Sequence, residues 1–166
     1  MILATHAIAG AAAAQLFPNN PLLAFIAAFA SHFILDAIPH WNYRLKSRAE
    51  DPSDPLDGKM IWGKKFITDI LKISLDFTAG IALSVLFFSK GVDQNMAIII
   101  LGALGGTLPD ALQFAYWQLK IEPFKSIQKF HHWIHPKKER QLSLAVGVSF
   151  QILIVAAIIV AAKFFL

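Results

Sequence analysis

Five apolar runs constrain this chain more than any other feature of its sequence. They cover roughly residues 2–16, 21–39, 66–89, 96–118 and 142–164. A run of about 18 or more apolar residues is typical of a membrane-spanning helix, and only the first run is short for a hydrocarbon core about 30 Å thick. The chain has 166 residues, of which 56% are hydrophobic and 16% charged. We therefore expect an all-α polytopic membrane helical bundle with about five spans, formed by residues 1–166 as a single integral membrane domain.

Basic residues predict how this bundle is oriented. The two long loops, Trp41–Lys65 and Leu119–Gln141, hold six Lys or Arg residues each, whereas the opposite turns, FPNN and KGVDQN, hold one between them. Because basic loops favour the cytoplasmic side, the sequence predicts a cytoplasmic N-terminus. The first run lacks a basic leader, so we do not expect a cleaved signal peptide.

The two long loops differ in character. The first begins with a Pro-, Asp- and Gly-rich stretch, which predicts a solvated connector, and ends in MIWGKK, which is typical of an interfacial anchor. The second mixes basic residues with Phe124, Ile127, Phe130 and Trp133. That mixture predicts a short helix around 120–135 on an anionic membrane surface, although an ordinary basic loop is an equal alternative.

Histidines and aspartates gather at one end of the predicted bundle. Ionisable groups inside a span cost roughly 2.5–3.5 kcal/mol each on insertion scales, so each needs a reason. In SHFILDAIPH, His32, Asp36 and His40 recur every four residues, and a four-residue spacing puts His32 and Asp36 on one helix face. In the predicted topology every histidine, and every aspartate within a span, lies towards the cytoplasmic side.

Imidazole and carboxylate groups without thiolates suit zinc, manganese or iron, and the chain has no cysteine. Two metals that share a carboxylate would use such a large set economically, so we expect about one to three divalent ions, zinc first. The predicted metal ligands are His6, His32, Asp36, His40, Asp76, Asp110, His131 and His135.

Several of these residues have a structural alternative. His6 would also fit as a polar group at a helix end, and Asp69 could form an ion pair with Lys72. His131 and His132 diverge by about 100° on a helix, so we expect only one of them to pair with His135. Pro109 in LGALGGTLPD predicts a helix break and a close approach of other helices, with Gln113 on the face of Asp110.

The motifs ATHAIAGAAAA, SHFILDAIPH, LGALGGTLPD and HHWIHP together resemble those of bacterial membrane-bound metal-dependent hydrolases. The histidine and aspartate pattern of that family is similar to that of zinc-dependent phospholipase C. The resemblance implies hydrolysis of a phosphoester in a lipid or lipid-linked substrate by metal-activated water. With the orientation predicted from the basic loops, the site would face the cytoplasmic leaflet of the bacterial inner membrane. Two positions depart from it: Ala111 follows Asp110 where a histidine is expected, and HHWIH lacks an arginine.

On this hypothesis the remaining roles fall to polar residues near the predicted ligands. Asp69 or His132 would orient water or protonate the leaving group, and the candidate substrate-binding residues are Lys65, Lys72, Gln113 and Lys129. The expected partners are the lipid bilayer and a lipid substrate, and no nucleic acid.

Two other functions fit part of the pattern. HHWIH is similar to the histidine boxes of di-iron membrane hydroxylases and desaturases, which generally have more histidines. A metal or proton carrier, or an accessory membrane protein, is the non-enzymatic alternative, because intramembrane Asp and His also mark ion paths.

Overall fold

A computed structural model describes residues 1–51, 54–89, 96–135 and 142–165. Over these ranges the chain forms six helices and one two-stranded antiparallel hairpin. The elements in chain order are α1 (Leu3–Ala14), α2 (Pro21–Asp36), β1 (Arg48–Asp51), β2 (Asp54–Met60), α3 (Lys64–Phe88), α4 (Met96–Leu119), α5 (Phe124–Ile134) and α6 (Leu144–Phe165).

Among the described residues, α3, α4 and α6 are long and apolar enough to cross a membrane. Helices α3 and α6 direct large apolar side chains outwards, as lipid-facing helices do: Leu75, Leu86, Ile152 and Leu153 are each more than 60% exposed. With 12 and 16 residues, α1 and α2 reach only roughly 18 and 24 Å. The predicted five spans and their orientation therefore stay a prediction, and the turn KGVDQN lies outside the described residues.

Helix α1 occupies the centre of the molecule and packs against α2, α3, α4 and α6. Its small side chains allow this, since Ala7, Ala11 and Ala14 are fully buried. At the crossing with α4, a Cβ added to Gly10, Gly102 or Gly106 would overlap backbone atoms of the facing helix. Small residues at a helix crossing let backbones approach closely, and this approach brings the start of α1 beside the C-terminal half of α4.

Helix α2 has clear signals at both ends. Its first turn is capped by Asn20, whose side chain accepts a hydrogen bond from the amide of Leu23 (3.1 Å), and Pro21 occupies the first helical position. Pro39 ends it, because the residue before a proline is disfavoured in helical geometry. Asp36 is consequently the last helical residue, and its carboxylate lies where the chain turns away.

The hairpin corrects the prediction that the Pro-, Asp- and Gly-rich part of the first long loop is a solvated connector. Strand β2 directs Leu56, Gly58 and Met60 inwards, and Met60 packs with Tyr116 and Trp117 of α4. Phe66 of α3 and Phe124 of α5 pack on the same cluster. The hairpin, the start of α3, the end of α4 and the start of α5 thus meet at one end of the bundle.

Helix α5 is the short helix predicted around residues 120–135. Pro109 does not break α4, which is one continuous helix. A proline in a helix interior removes one backbone hydrogen bond and clashes with the preceding turn. Neighbouring helices commonly offset that loss in membrane bundles, and here α1 and α2 pack along this part of α4.

Candidate metal centre

Asp36 is the centre of a cluster of imidazoles. Its Oδ2 lies 2.8 Å from His131 Nε2, 3.0 Å from His32 Nε2 and 3.2 Å from His135 Nε2. Its Oδ1 lies 3.2 Å from His6 Nε2 and forms an ion pair with the N-terminal ammonium group of Met1 at 2.8 Å. Asp36 is fully buried. Three helices, α1, α2 and α5, therefore direct imidazoles at one carboxylate.

His32 is held in one tautomer by the backbone of α4. Its Nδ1 lies 2.8 Å from the carbonyl oxygen of Gly106, and because a carbonyl only accepts, Nδ1 carries the proton. In neutral His32 the Nε2 atom then presents a lone pair, which faces Asp36 Oδ2 at 3.0 Å and His131 Nε2 at 3.2 Å. A carbonyl bound to one ring nitrogen is the usual support of a metal-ligating histidine.

His6 and His131 have buried nitrogens without hydrogen-bond partners within the described part of the chain. Both ring nitrogens of His6 and Nδ1 of His131 are in this state, and the His6 ring stacks on that of His32 with centroids 3.9 Å apart. An unsatisfied buried polar atom costs about 1–3 kcal/mol. His6 Nε2 is turned towards the cluster, since it lies 3.2 Å from Asp36 Oδ1 without forming a hydrogen bond, and its lone pair is available to a cation.

A divalent cation fits this donor set. Three groups of side chains place one possible ligand atom each within 4.8 Å of one another: His6, His32 and Asp36; His32, Asp110 and His131; and Asp36, His40 and His135. Protons are the alternative, but charging all five imidazoles beside the Met1 ammonium group would leave four positive charges that Asp36 and Asp110 do not neutralise, in an interior where unpaired charge is costly. A cation lets the imidazoles stay neutral.

His40 differs from the other four imidazoles. Its Nδ1 donates to the carbonyl of Ile38 (2.6 Å), its Nε2 accepts from Asn42 Nδ2 (3.2 Å), and Asp36 Oδ1 is 3.7 Å away. Burial lowers the pKa of His40 to about 4, so the ring is neutral in ordinary buffers. Both nitrogens are satisfied within the protein, which makes His40 the weakest of the predicted ligands.

The cluster is open on one side only, as far as the described residues show. His6, His32, Asp36 and His131 are at most 1% exposed, whereas the side chains of Asp110 and His135 are 31% and 25% exposed. Asp110 Oδ1 lies 3.9 Å from both His32 Nε2 and His131 Nε2. Catalytic metal sites keep such an open position, whereas structural ones are closed.

Asp76 lies outside the cluster and caps helix α1. Its carboxylate accepts hydrogen bonds from the amides of Leu3 (2.7 Å) and Ala4 (3.1 Å) and from the hydroxyl of Tyr43 (3.2 Å). Burial and the Asp76 carboxylate hold the pKa of Tyr43 above its usual range, so its hydroxyl stays a donor. A carboxylate at a helix N-terminus satisfies free amides and interacts favourably with the helix dipole.

This geometry predicts the outcome of replacing Asp76. D76N should lower the free energy of unfolding by about 1–2 kcal/mol and leave the metal content unchanged, whereas Y43F should cost about 1 kcal/mol. Thermal unfolding in detergent and elemental analysis of the same samples measure both quantities. A D76N variant that loses metal at unchanged stability would show that Asp76 is a ligand after all.

Asp69 is also structural in its contacts. Its Oδ2 accepts from the amide and the hydroxyl of Ser47, both at 2.7 Å, and Oδ1 lies 3.7 Å from the ammonium group of Lys72. It thereby fastens the segment before β1 to helix α3. Asp69 and Lys72 therefore form the ion pair that the sequence offered as the structural alternative.

The other predicted residues lie away from the cluster. His132 is exposed on α5, turned about 100° around the helix axis from His131. Lys65 lines a surface groove of about 270 Å³ together with Lys46, Trp62 and Lys64. Gln113 is half-buried one turn after Asp110, and Lys129 is exposed. Within the described ranges, no hydrogen bond or ion pair joins these side chains to Asp36.

Gln151 is a positioning residue that the sequence reasoning missed. Its Oε1 accepts from the amide of Ile2 (3.1 Å) and the hydroxyl of Thr5 (3.4 Å), and its Nε2 donates to the carbonyl of Trp41 (2.9 Å). It ties α6 to the start of α1 and to the segment after His40. The available signal was a buried amide in an otherwise apolar helix, since such a group needs partners.

Comparisons of the chain with protein-family models, with curated proteins and with solved structures found no match. The chemistry of the cluster is therefore inferred from its own residues, together with the motif resemblance given above.

Proposed function

We propose that the protein is a membrane-embedded, metal-dependent hydrolase that acts on a phosphoester of a lipid or lipid-linked substrate. One observation carries the proposal: four imidazoles, from three helices, lie within 3.2 Å of the buried Asp36 carboxylate. A divalent metal held by such groups supplies an activated water as nucleophile near neutral pH and neutralises charge on phosphate oxygens. Zinc suits the donor set best, with manganese or iron as alternatives.

The side chains of the cluster have two proposed roles: some bind the metal, and others lie where substrate enters. His6, His32, Asp36 and His131 hold the metal from the buried side, while Asp110 and His135 complete the set at the exposed edge. Substrate reaches the metal from that edge, where the Asp110 carboxylate orients water or takes up a proton. Asp69 and His132 are not assigned these roles, because Ser47 binds Asp69 and His132 faces away.

A lipid substrate is supported by the place of the cluster in the bundle. The groups come from the start of α1, the end of α2, the second half of α4 and α5, and the hairpin end of the same bundle carries the exposed lysines Lys46, Lys64 and Lys65. Phosphate headgroups lie at this depth when α3, α4 and α6 cross the bilayer. We propose that α1 and α2 complete a five-span bundle with this end in the cytoplasm, following the positive-inside bias.

The adjacent residues His131 and His132 provide a matched test. H131A should weaken metal binding by more than about 100-fold, because even partners behind the ligands contribute about 10–100-fold, and phosphoester hydrolysis should fall with it. H132A removes the same chemical group from the exposed side of α5 and should retain metal and turnover. Elemental analysis of protein purified without added metal, followed by phosphate or headgroup release from phospholipid, measures both.

Three results would overturn the proposal. H131A with wild-type metal content and turnover would exclude the cluster as the site. Bound iron with oxygen-dependent product formation would indicate an oxidoreductase, and metal flux into sealed vesicles without hydrolysis would indicate a carrier.

A further inference from the structure

Helix α5 has two faces with different chemistry. Gln128 and His131 are buried, and His131 reaches Asp36. The opposite face exposes Lys125, Lys129, Phe130, His132 and Trp133, of which Trp133 is 76% exposed and Phe130 44%. An amphipathic helix with lysines and large aromatics on its outer face is typical of a helix that lies in the membrane interface.

The lysines of this face have no acidic partner among the residues that the structure describes. Glu122, the nearest acidic residue in sequence, accepts hydrogen bonds from the amide and hydroxyl of Ser126 at 3.2 and 3.0 Å. In the part of the chain that the structure describes, no carboxylate forms an ion pair with Lys125 or Lys129, so their charge is available to an external anion.

The position of α5 puts this face at the bilayer surface. Helix α4, long and apolar enough to cross a membrane, ends at Leu119, and α5 begins at Phe124. Leu119 at the end of α4 and Ile121 in the connection to α5 are both exposed. At the start of α3, Ile61 and Trp62 are 60% and 71% exposed at the same end of the bundle, which matches the aromatic belt of membrane proteins.

We infer that the outer face of α5, formed by Lys125, Lys129 and Trp133 and bordered by Phe130, whose ring also packs on Phe33, binds the anionic headgroup layer of the membrane. The attraction of the two lysines to an anionic surface should together raise the equilibrium constant for docking of the helix by about 30-fold. Because the inner face carries His131 and His135, docking also holds two imidazoles against Asp36. This consequence, unlike the docking itself, rests on the proposed function, and it predicts tighter metal retention in anionic membranes.

A single label tests the docking. The chain has no cysteine, so S126C places one environment-sensitive fluorophore on the exposed side of α5. The labelled full chain is reconstituted in vesicles of phosphatidylcholine alone or mixed with phosphatidylglycerol, oriented with the hairpin end outwards. With phosphatidylglycerol we expect a blue-shifted emission and up to about 30-fold slower quenching by external dithionite. High salt should remove most of that protection, because it screens surface charge.

Two double variants test whether the lysines of α5 cause the lipid dependence. Adding K125Q and K129Q should abolish the lipid dependence, while K59Q and K163Q, which remove the same charge from exposed residues off α5, should keep it. Identical quenching in both lipid mixtures, or equal loss in both double variants, would overturn the inference. Zinc retention during chelator challenge is measured separately on unlabelled protein. Lipid-dependent quenching without lipid-dependent zinc retention would refute the coupling alone, and a chain that binds no zinc would refute the proposed function but not the docking.

Discussion

D36N is expected to remove bound metal and hydrolysis together. The substitution preserves the shape of the side chain but takes away the negative charge on which His6, His32, His131 and His135 converge. Since partners behind metal ligands already contribute about 10–100-fold, loss of the central carboxylate should weaken metal binding by more than about 100-fold. Elemental analysis and phosphoester release measure the two effects.

The loss of metal binding in D36N should also be measurable as a change in thermal stability, without any assay of activity. Metal at about 100 times its dissociation constant stabilises the folded state by about 2.7 kcal/mol, so added zinc should raise the unfolding temperature of the wild type and not that of D36N. D69N is the matched control, because Asp69 is equally buried but bonded to Ser47. It should lower stability and keep the zinc response. A zinc response that survives in D36N would exclude Asp36 as a ligand.

The parts of the cluster that could be predicted from sequence are those fixed by local helix geometry. A four-residue spacing puts His32 and Asp36 on one face, and the structure places His32 Nε2 3.0 Å from Asp36 Oδ2. The divergence of His131 and His132 likewise predicted that one of them turns away, but which one depends on where α5 packs. That choice is made by tertiary contacts such as Phe33 against Phe130, with ring centroids 4.9 Å apart.

The missed features depend on partners far away in the chain. Asp69 and Asp76 share a helix face and carry the same group as Asp36, yet one binds Ser47 and the other the start of α1. Those partners are 22 and 73 residues away, beyond the reach of any periodicity. The hairpin was missed because Pro, Asp and Gly obscure the alternation of Leu56, Gly58 and Met60. The inward position of Gly58 is explained only by the Trp117 side chain of α4, which packs directly against it.

G106A is the second substitution with a large expected effect, although it adds only one methyl group. A Cβ at this position would overlap the carbonyl oxygen of His6 and lie 3.0 Å from the Cα of Gly10. Backbone atoms cannot rotate away as a side chain does, so α1 must shift from α4. Overpacking of this kind costs about 1–3 kcal/mol, more than the roughly 0.5–1 kcal/mol that alanine gains over glycine inside a helix.

The shift should reach the metal centre because Gly106 supports it from both directions. Its carbonyl accepts the hydrogen bond from His32 Nδ1, and its Cα hydrogens face the backbone of His6. We therefore expect G106A to lose metal as well as stability. G105A is the neighbouring control: its Cβ would meet the Cβ of Ala28 at 3.1 Å and the ring of Phe25 at 3.3 Å, so a shift of a few tenths of an ångström suffices and metal content should persist. Equal metal content and equal unfolding temperatures in the two variants would show that the α1–α4 crossing does not position the imidazoles.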